Sequence, residues 1–179
     1  MRRPNSPAIA TFACVASLIL AGCWQSDKPL MTAADSEQPI ESGVYSYDMG
    51  NDDVQASSLL RFPGGGYIYY VKDEGALALM VRQVAKDWYV LQVSGDEGPD
   101  VLYGFGHREG NKVTIYDPVD CPEYLSDIKG LTIDGSDCEF GTLDALLEAG
   151  RRIVNHPKRD EVLEDPSGVL MLDTREDIY

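Results

Sequence analysis

The chain has 179 residues and carries 15 basic against 30 acidic side chains, a formal net charge of −15 at pH 7. This length fits one globular domain of ordinary size. Such an acidic surface repels phosphate backbones and anionic lipid headgroups, so we expect no nucleic acid among its partners.

The N-terminus begins Met1-Arg2-Arg3, and a mostly apolar segment of 13 residues, AIATFACVASLIL, runs from position 8 to position 20. A membrane-spanning helix needs roughly 20 such residues. A charged start followed by a short apolar core is instead typical of a secretory signal peptide. We therefore expect residues 1–22 to be removed on export.

The apolar segment ends in Leu20-Ala21-Gly22-Cys23, which resembles the lipobox of bacterial lipoproteins at every position. This resemblance covers only the first 23 residues. It implies that the Cys23 thiol is joined to a diacylglycerol, that a peptidase cuts before Cys23, and that the new amino group is acylated. The alternative is an ordinary signal peptide, but a cut after Gly22 would place Leu20 where a small residue is required. Two or more acyl chains anchor a protein firmly, so we expect a membrane attachment through Cys23.

The residue after the lipidated cysteine bears on location. In the enteric pattern, an Asp there retains a lipoprotein in the inner membrane, whereas this chain has Trp24. The resemblance therefore implies a bacterial envelope protein on the outer membrane that faces the periplasm. Removal of residues 1–22 takes away Arg2 and Arg3 and no acid, so the mature charge becomes −17.

The 19 residues from 24 to 42 are polar, contain two prolines and lack a clear hydrophobic period. Such a composition predicts a flexible tether that spans roughly 25 Å. The expected organisation is a lipidated cysteine and tether at 23–42, a single β-rich domain at 43–157, and a charged C-terminal segment at 158–179.

Short runs rich in Val, Ile, Tyr and Trp alternate with turns rich in Gly and Asp after position 43. Connections this short leave no room for crossover helices, so the strands should form an antiparallel meander. The pattern predicts a mainly β (α+β) fold, either a sandwich or a small barrel-like sheet. The predicted strands are Val44–Tyr47, Ser58–Phe62, Tyr67–Val71, Leu77–Arg82, Trp88–Val93, Val101–Phe105 and Lys112–Tyr116.

The C-terminal part has a different character. Asp134-Gly135 predicts a turn between two further short runs, and Thr142 is a suitable N-cap for a helix at about 142–155. His156-Pro157 ends this helix, whose apolar face should pack on the sheet. The apolar run Val169–Leu172 forms either a late edge strand or part of a loosely held tail.

Cys121 and Cys138 are the two cysteines that remain once Cys14 leaves with the signal peptide and Cys23 takes lipid. An exported pair of cysteines normally forms a disulfide. Two buried thiols and half of a metal site are the alternatives, although no C-x-x-C spacing supports a metal.

The sequence offers few candidates for chemistry. A nucleophile and base arrangement needs a histidine, and His107 and His156 are the two present. His107 continues an alternating strand, which favours a structural role. Acidic turns at Asn51–Asp53, Asp96-Glu97 and Asp134–Asp137 lack the ligand spacing of an EF-hand. We therefore expect no catalytic residue, no metal and no cofactor.

These observations predict a lipid-anchored envelope protein that acts as a non-enzymatic binding or structural module. Its expected partner is an envelope protein or a cell-wall component. Exposed tyrosines on a shallow sheet face would favour binding, because such faces hold sugars or peptides. The alternative is a cell-wall or polysaccharide hydrolase with a carboxylate pair about 5 to 10 Å apart.

Overall fold

The computed structural model describes residues 24–48, 54–71, 75–94, 101–118, 120–163 and 165–175. Within them lie eleven strands and two α-helices. Short 3-10 helices also occur at Ala33–Asp35 and Glu123–Leu125. The strands are β1 Trp24–Ser26, β2 Gly43–Asp48, β3 Val54–Arg61, β4 Tyr67–Val71, β5 Gly75–Ala85, β6 Trp88–Ser94, β7 Val101–Glu109, β8 Lys112–Tyr116, β9 Leu131–Asp134, β10 Asp137–Phe140 and β11 Gly168–Arg175, and the helices are α1 Leu143–Val154 and α2 Arg159–Val162.

Eight antiparallel strands close into a barrel in the order β6-β5-β4-β3-β2-β11-β8-β7, and β7 pairs back onto β6. The predicted meander is confirmed, and the closed barrel is the form it takes. Short turns connect consecutive strands, so strands that follow each other in the chain pair as antiparallel neighbours. Gly110 connects β7 to β8 with φ of 63°, a conformation that glycine adopts without a steric penalty. Closure leaves these strands without a free edge.

Strand β11 completes the barrel near the C-terminus of the chain. It pairs with β2 on one side and with β8 on the other. The alternative of a strand at Val169–Leu172 is therefore correct, but the strand is not at an edge, and the alternative of a loose tail is wrong. The domain extends beyond position 157. Leu170 is buried inside the barrel, so the run contributes to the core as well as to the ladder.

Tyrosine side chains fill the barrel interior. Alternate residues of each strand point inward, and the buried interior set includes aromatic and aliphatic residues from strands all around the barrel. Because these tyrosines are buried, they do not form an exposed binding face. The interior side chains include Tyr45, Tyr47, Leu59, Tyr67, Val81, Tyr89, Leu91, Val113 and Leu170.

Helix α1 packs on the outer surface of β5 and β6 and creates a second core. Thr142 caps the helix through its hydroxyl, which accepts a hydrogen bond from the Ala145 amide. Gly150 permits the close approach, because a Cβ at this position would lie 2.7 Å from Val90 Cγ2. The predicted helix and its packing on the sheet are confirmed.

The segment from Trp24 to Ser42 follows the surface of the domain and is not a free tether. The Trp24 side chain is 0% exposed, and Met31 and Ile40 are also buried. The Gln92 side-chain oxygen accepts hydrogen bonds from the Leu30 and Met31 amides. The sequence-based expectation is corrected here. Trp24, Met31 and Ile40 are too widely spaced to produce a hydrophobic period, yet all three are buried against the folded domain.

Strands β1, β10 and β9 extend the sheet beyond the barrel. Strand β1 pairs antiparallel with the start of β7 and parallel with β10, so that Trp24 lies beside Cys138. Cys138 is joined to Cys121 with a Cα–Cα distance of 5.1 Å. The disulfide fastens the connection between β8 and the β9–β10 hairpin to the second core.

Candidate functional site

The lipidation site expected at Cys23 lies outside the described residues, as do residues 1–22. Trp24, the next residue, is held in β1 between two aromatic rings. Its indole lies 5.2 Å from the Phe105 ring and 4.8 Å from the Phe140 ring, measured between centroids. No helix among the described residues has the length and apolar character needed to cross a membrane.

His107 sits near the end of β7 and stacks on Trp88, with ring centroids 4.4 Å apart and 17° between the planes. The Arg159 guanidinium lies 4.8 Å from the Trp88 ring centroid. Within the described part of the chain, the His107 ring makes no hydrogen bond to a serine or a carboxylate. Its contacts are those of a packing residue.

His156 stacks on Tyr124 with ring centroids 4.5 Å apart and 5° between the planes. Its Nδ1 atom accepts a hydrogen bond from the Lys158 amide at 3.1 Å. The ring therefore closes the turn that follows α1, as expected for a residue at a helix end.

The acidic turns give no metal cluster in the described residues. Asn51–Asp53 and Asp96-Glu97 lie outside them. Asp134 and Asp137 face each other across the β9–β10 turn and are exposed. Nowhere in the described ranges do three or more His, Cys, Asp or Glu side chains converge as metal ligands would.

Asp117, which follows β8 at one end of the barrel, is the carboxylate with the most unusual surroundings. Burial raises its pKa, and a hydrogen bond from Ser167 partly opposes that shift. Burial also raises the pKa of Tyr47 to about 12, with Tyr69 and Asp117 adding to the shift. Among the described residues no second carboxylate perturbs Asp117. Most glycosidases use two carboxylates with separate roles, and Asp117 is the one that the described residues place here.

At the other end of the barrel, a small depression lies beside Arg108, Glu41 and Asn111. It has room for about one water molecule. Arg108 is already engaged, since it donates hydrogen bonds to the Pro39 and Gly110 carbonyl oxygens. The depression is too small for a sugar ring.

A further candidate surface is the outside of β2, β3 and β4 together with the start of β5. It includes the start of β5, one of the two strands on which α1 packs, and continues away from the helix around the barrel to β2. The side chains that point away from the barrel interior lie next to each other on neighbouring strands. Ile68 on β4 is paired with Leu60 on β3, and Tyr70 is paired with Ser58. We call this surface the outer wall, and it consists of Val44, Ser46, Ala56, Ser58, Leu60, Ile68, Tyr70, Ala76 and Ala78.

The nine outer-wall residues are uncharged, although a quarter of the whole chain is charged. The outward row of β2 continues beyond them to Asp48, which is exposed. Ile68 is 36% exposed and Tyr70 is 46% exposed. On the neighbouring strand β11, Met171 adds a further exposed apolar side chain at 44%. Charges occur at the margin, where Asp173 accepts a hydrogen bond from Ser46. An uncharged patch on so acidic a protein is a candidate interaction surface.

The sequence alone did not single out this surface. The sequence does show which residues of β2 to β4 share a face, because side chains alternate between the two faces of a strand. Which strands the helix covers depends on long-range packing, so the uncovered side could not be identified. No protein-family model, curated protein or solved structure matches the chain.

Proposed function

We propose that this protein is a lipid-anchored component of the bacterial cell envelope that works by binding and not by catalysis. The observation that carries the proposal is the sequence Leu20-Ala21-Gly22-Cys23 at the end of a signal-like segment. The mature protein would be held by acyl chains on Cys23. With Trp24 in the following position, it would lie on the outer membrane and face the periplasm.

The absence of an enzyme role belongs to this proposal, and two contacts support it. His107 is committed to the Trp88 ring, and the Cys121 and Cys138 sulfurs are bonded to each other. Neither serves as a nucleophile or base in this arrangement. No feature of the described residues favours the hydrolase alternative.

The outer wall is the surface we assign to partner binding. Its Ile68, Leu60 and Val44 side chains suit an apolar protein surface better than a glycan, which needs several hydrogen-bonding groups beside an aromatic ring. The negative field of the whole domain favours a partner with basic residues around that apolar patch. The proposed partner is therefore an envelope protein of this kind.

The anchoring proposal is tested by cell fractionation of a Cys23→Ser variant. We expect the wild-type protein to sediment with membranes and the variant to be released or left unprocessed. A variant that still sediments with membranes and is still cut at the same site would refute lipid attachment.

The outer wall is tested by placing a photo-reactive phenylalanine analogue at Tyr70 and, as a matched control, at Tyr124. Both side chains are partly exposed, at 46% and 37%, but Tyr124 lies on the connection that leads to β9. We expect a discrete crosslinked species from position 70 that is absent from position 124 and is weakened by Ile68→Asp. Equal crosslinking at both positions would contradict the assignment.

A further inference from the structure

We propose that the lipid anchor holds the folded domain directly against the bilayer, with the β9–β10 turn facing the lipid headgroups. This inference rests on the proposed lipidation of Cys23. It goes further by assigning the membrane-facing end of the domain. A flexible tether at residues 24–42 would have kept the domain roughly 25 Å from the membrane. The inference replaces this separation by close contact.

The first argument is the burial of the residue next to the anchor. Trp24 is 0% exposed and lies between Phe105 and Phe140. Its backbone is in register with Cys138 of β10. Consecutive Cα atoms are about 3.8 Å apart, so a lipid carried by the residue before Trp24 would be attached only one residue away from the folded sheet. Hardly any chain is left to act as a spacer.

The second argument is that the rest of the segment supplies no slack. Ser26 Oγ lies 2.7 Å from the Tyr103 hydroxyl, which also contacts Gln92. The Gln92 amide then holds Met31 through its oxygen and its nitrogen. Detaching this segment would expose Trp24 and break a buried polar network, so the docked state is strongly favoured.

The third argument fixes the direction in which the chain leaves the domain. Strand β1 pairs with β10 in the parallel orientation, so the N-terminal ends of the two strands lie side by side. Trp24 precedes Gln25 as Cys138 precedes Glu139, so β1 traced back to its first residue points towards the Gly135-Ser136 turn. That turn is flanked by Asp134 and Asp137, both exposed, and it becomes the part of the domain closest to the anchor.

The charge of this turn determines how the domain responds to lipid composition. Two carboxylates at the headgroup surface are repelled by anionic lipids and not by zwitterionic ones. We therefore expect close contact on phosphatidylcholine vesicles and a larger separation when phosphatidylglycerol is added. Salt should reduce that increase, because it screens exposed charges.

The test uses the full lipidated protein on phosphatidylcholine vesicles that contain a headgroup-linked acceptor dye. A donor dye is attached to a single introduced cysteine, either Ser136→Cys at the turn or Ala76→Cys. Ala76 lies on β5 at the barrel end where β7 starts, because both strands are in register with β6. Strand β1, traced back from Ser26 to Trp24, runs away from that end. We expect stronger energy transfer from position 136 than from position 76.

A second form carries twelve Gly/Ser residues between Cys23 and Trp24, a spacer of roughly 19 Å that leaves every folded contact intact. We expect this spacer to abolish the difference between the two positions. Vesicle-bound protein with equal transfer from both positions, or a difference that the spacer leaves unchanged, would overturn the inference. Protein that lacks acyl mass and stays off the vesicles would instead refute the proposed lipidation.

Discussion

The imidazole ring of His107 lies flat on the indole ring of Trp88, with 4.4 Å between the ring centroids. The two residues are directly opposite each other on β7 and β6. The Arg159 guanidinium and the Tyr116 ring also contact this indole. The sequence predicted a structural role for His107 at the end of an apolar strand face. In the structure this role is to pack against the Trp88 ring.

Replacing His107 by glutamine should remove the ring stack without leaving a void of large volume. Aromatic pairs contribute about 1 kcal/mol beyond their buried area, so we expect a fall in melting temperature of about 2–4 °C. Thermal unfolding followed by circular dichroism measures this shift, and crosslinking from Tyr70 should be unaffected. A hydrolase activity that this single substitution abolishes would contradict both the structural role and the proposed absence of catalysis.

Trp24→Ala should destabilise the domain strongly, because the side chain is buried against Phe105 and Phe140. We expect a loss of about 3–5 kcal/mol in the free energy of unfolding, as for other large aromatic deletions. Urea titration is the measurement. Gln25→Ala is the matched control, since Gln25 is exposed in the same strand, and it should change stability by less than about 0.5 kcal/mol. Equal effects of the two substitutions would show that Trp24 is not part of the core.

The disulfide between Cys121 and Cys138 closes a loop with a sequence separation of 17 residues. A crosslink over such a distance contributes on the order of 3 kcal/mol in the chain-entropy model. We expect the Cys121→Ser, Cys138→Ser double variant to lose a free energy of unfolding of this order. Urea titration measures the loss as a lower midpoint concentration. Intact-mass measurement after alkylation without reduction checks the bond itself. Two alkylated thiols at these positions would exclude it.

The barrel interior should make the protein sensitive to alkali. Burial raises the pKa of Tyr47 to about 12 and that of Tyr67 to about 12, from an unfolded value of 10.0. Between pH 10 and pH 12 the unfolded chain has lost these protons while the folded chain keeps them. Stability therefore falls as pH rises through this range, by an amount on the order of 2 kcal/mol for each tyrosine.

Unfolding by urea at a series of alkaline pH values measures this decline. Tyr47→Phe removes one ionising phenol and should flatten the decline, and adding Tyr67→Phe should flatten it further. The quantity compared is the slope of the unfolding free energy against pH. A loss of stability that is the same at every pH leaves this slope unchanged. A decline of unchanged steepness in the double variant would contradict the assigned cause.

Local sequence features predicted most of the individual elements. Residues such as Tyr89 and Val90 alternate between the two cores at the period of two that marks a strand. Thr142 marked the start of α1, and Asp134-Gly135 marked the turn between β9 and β10. These signals depend on a few neighbouring residues and on the geometry of one strand or one helix, so the sequence contains them directly.

Two features could not be read in this way. The role of Val169–Leu172 depends on β2 and β8, which lie more than 50 positions earlier in the chain. The docking of Trp24, Met31 and Ile40 depends on pockets formed by strands from elsewhere in the fold. The polar composition of residues 24–42 indicated a flexible tether, and the short run Val169–Leu172 among charged residues indicated either an edge strand or a loose tail.

The sequence by itself determined the acidic charge, the strand and helix pattern and the signal-like N-terminus, because each is a property of composition or of local order. Only the tertiary structure decided that the meander closes into a barrel, that α1 covers one side and leaves the outer wall exposed, and that Trp24 is buried. These outcomes depend on contacts between distant segments. Their free energy comes from apolar surface that becomes buried only when the segments pack together.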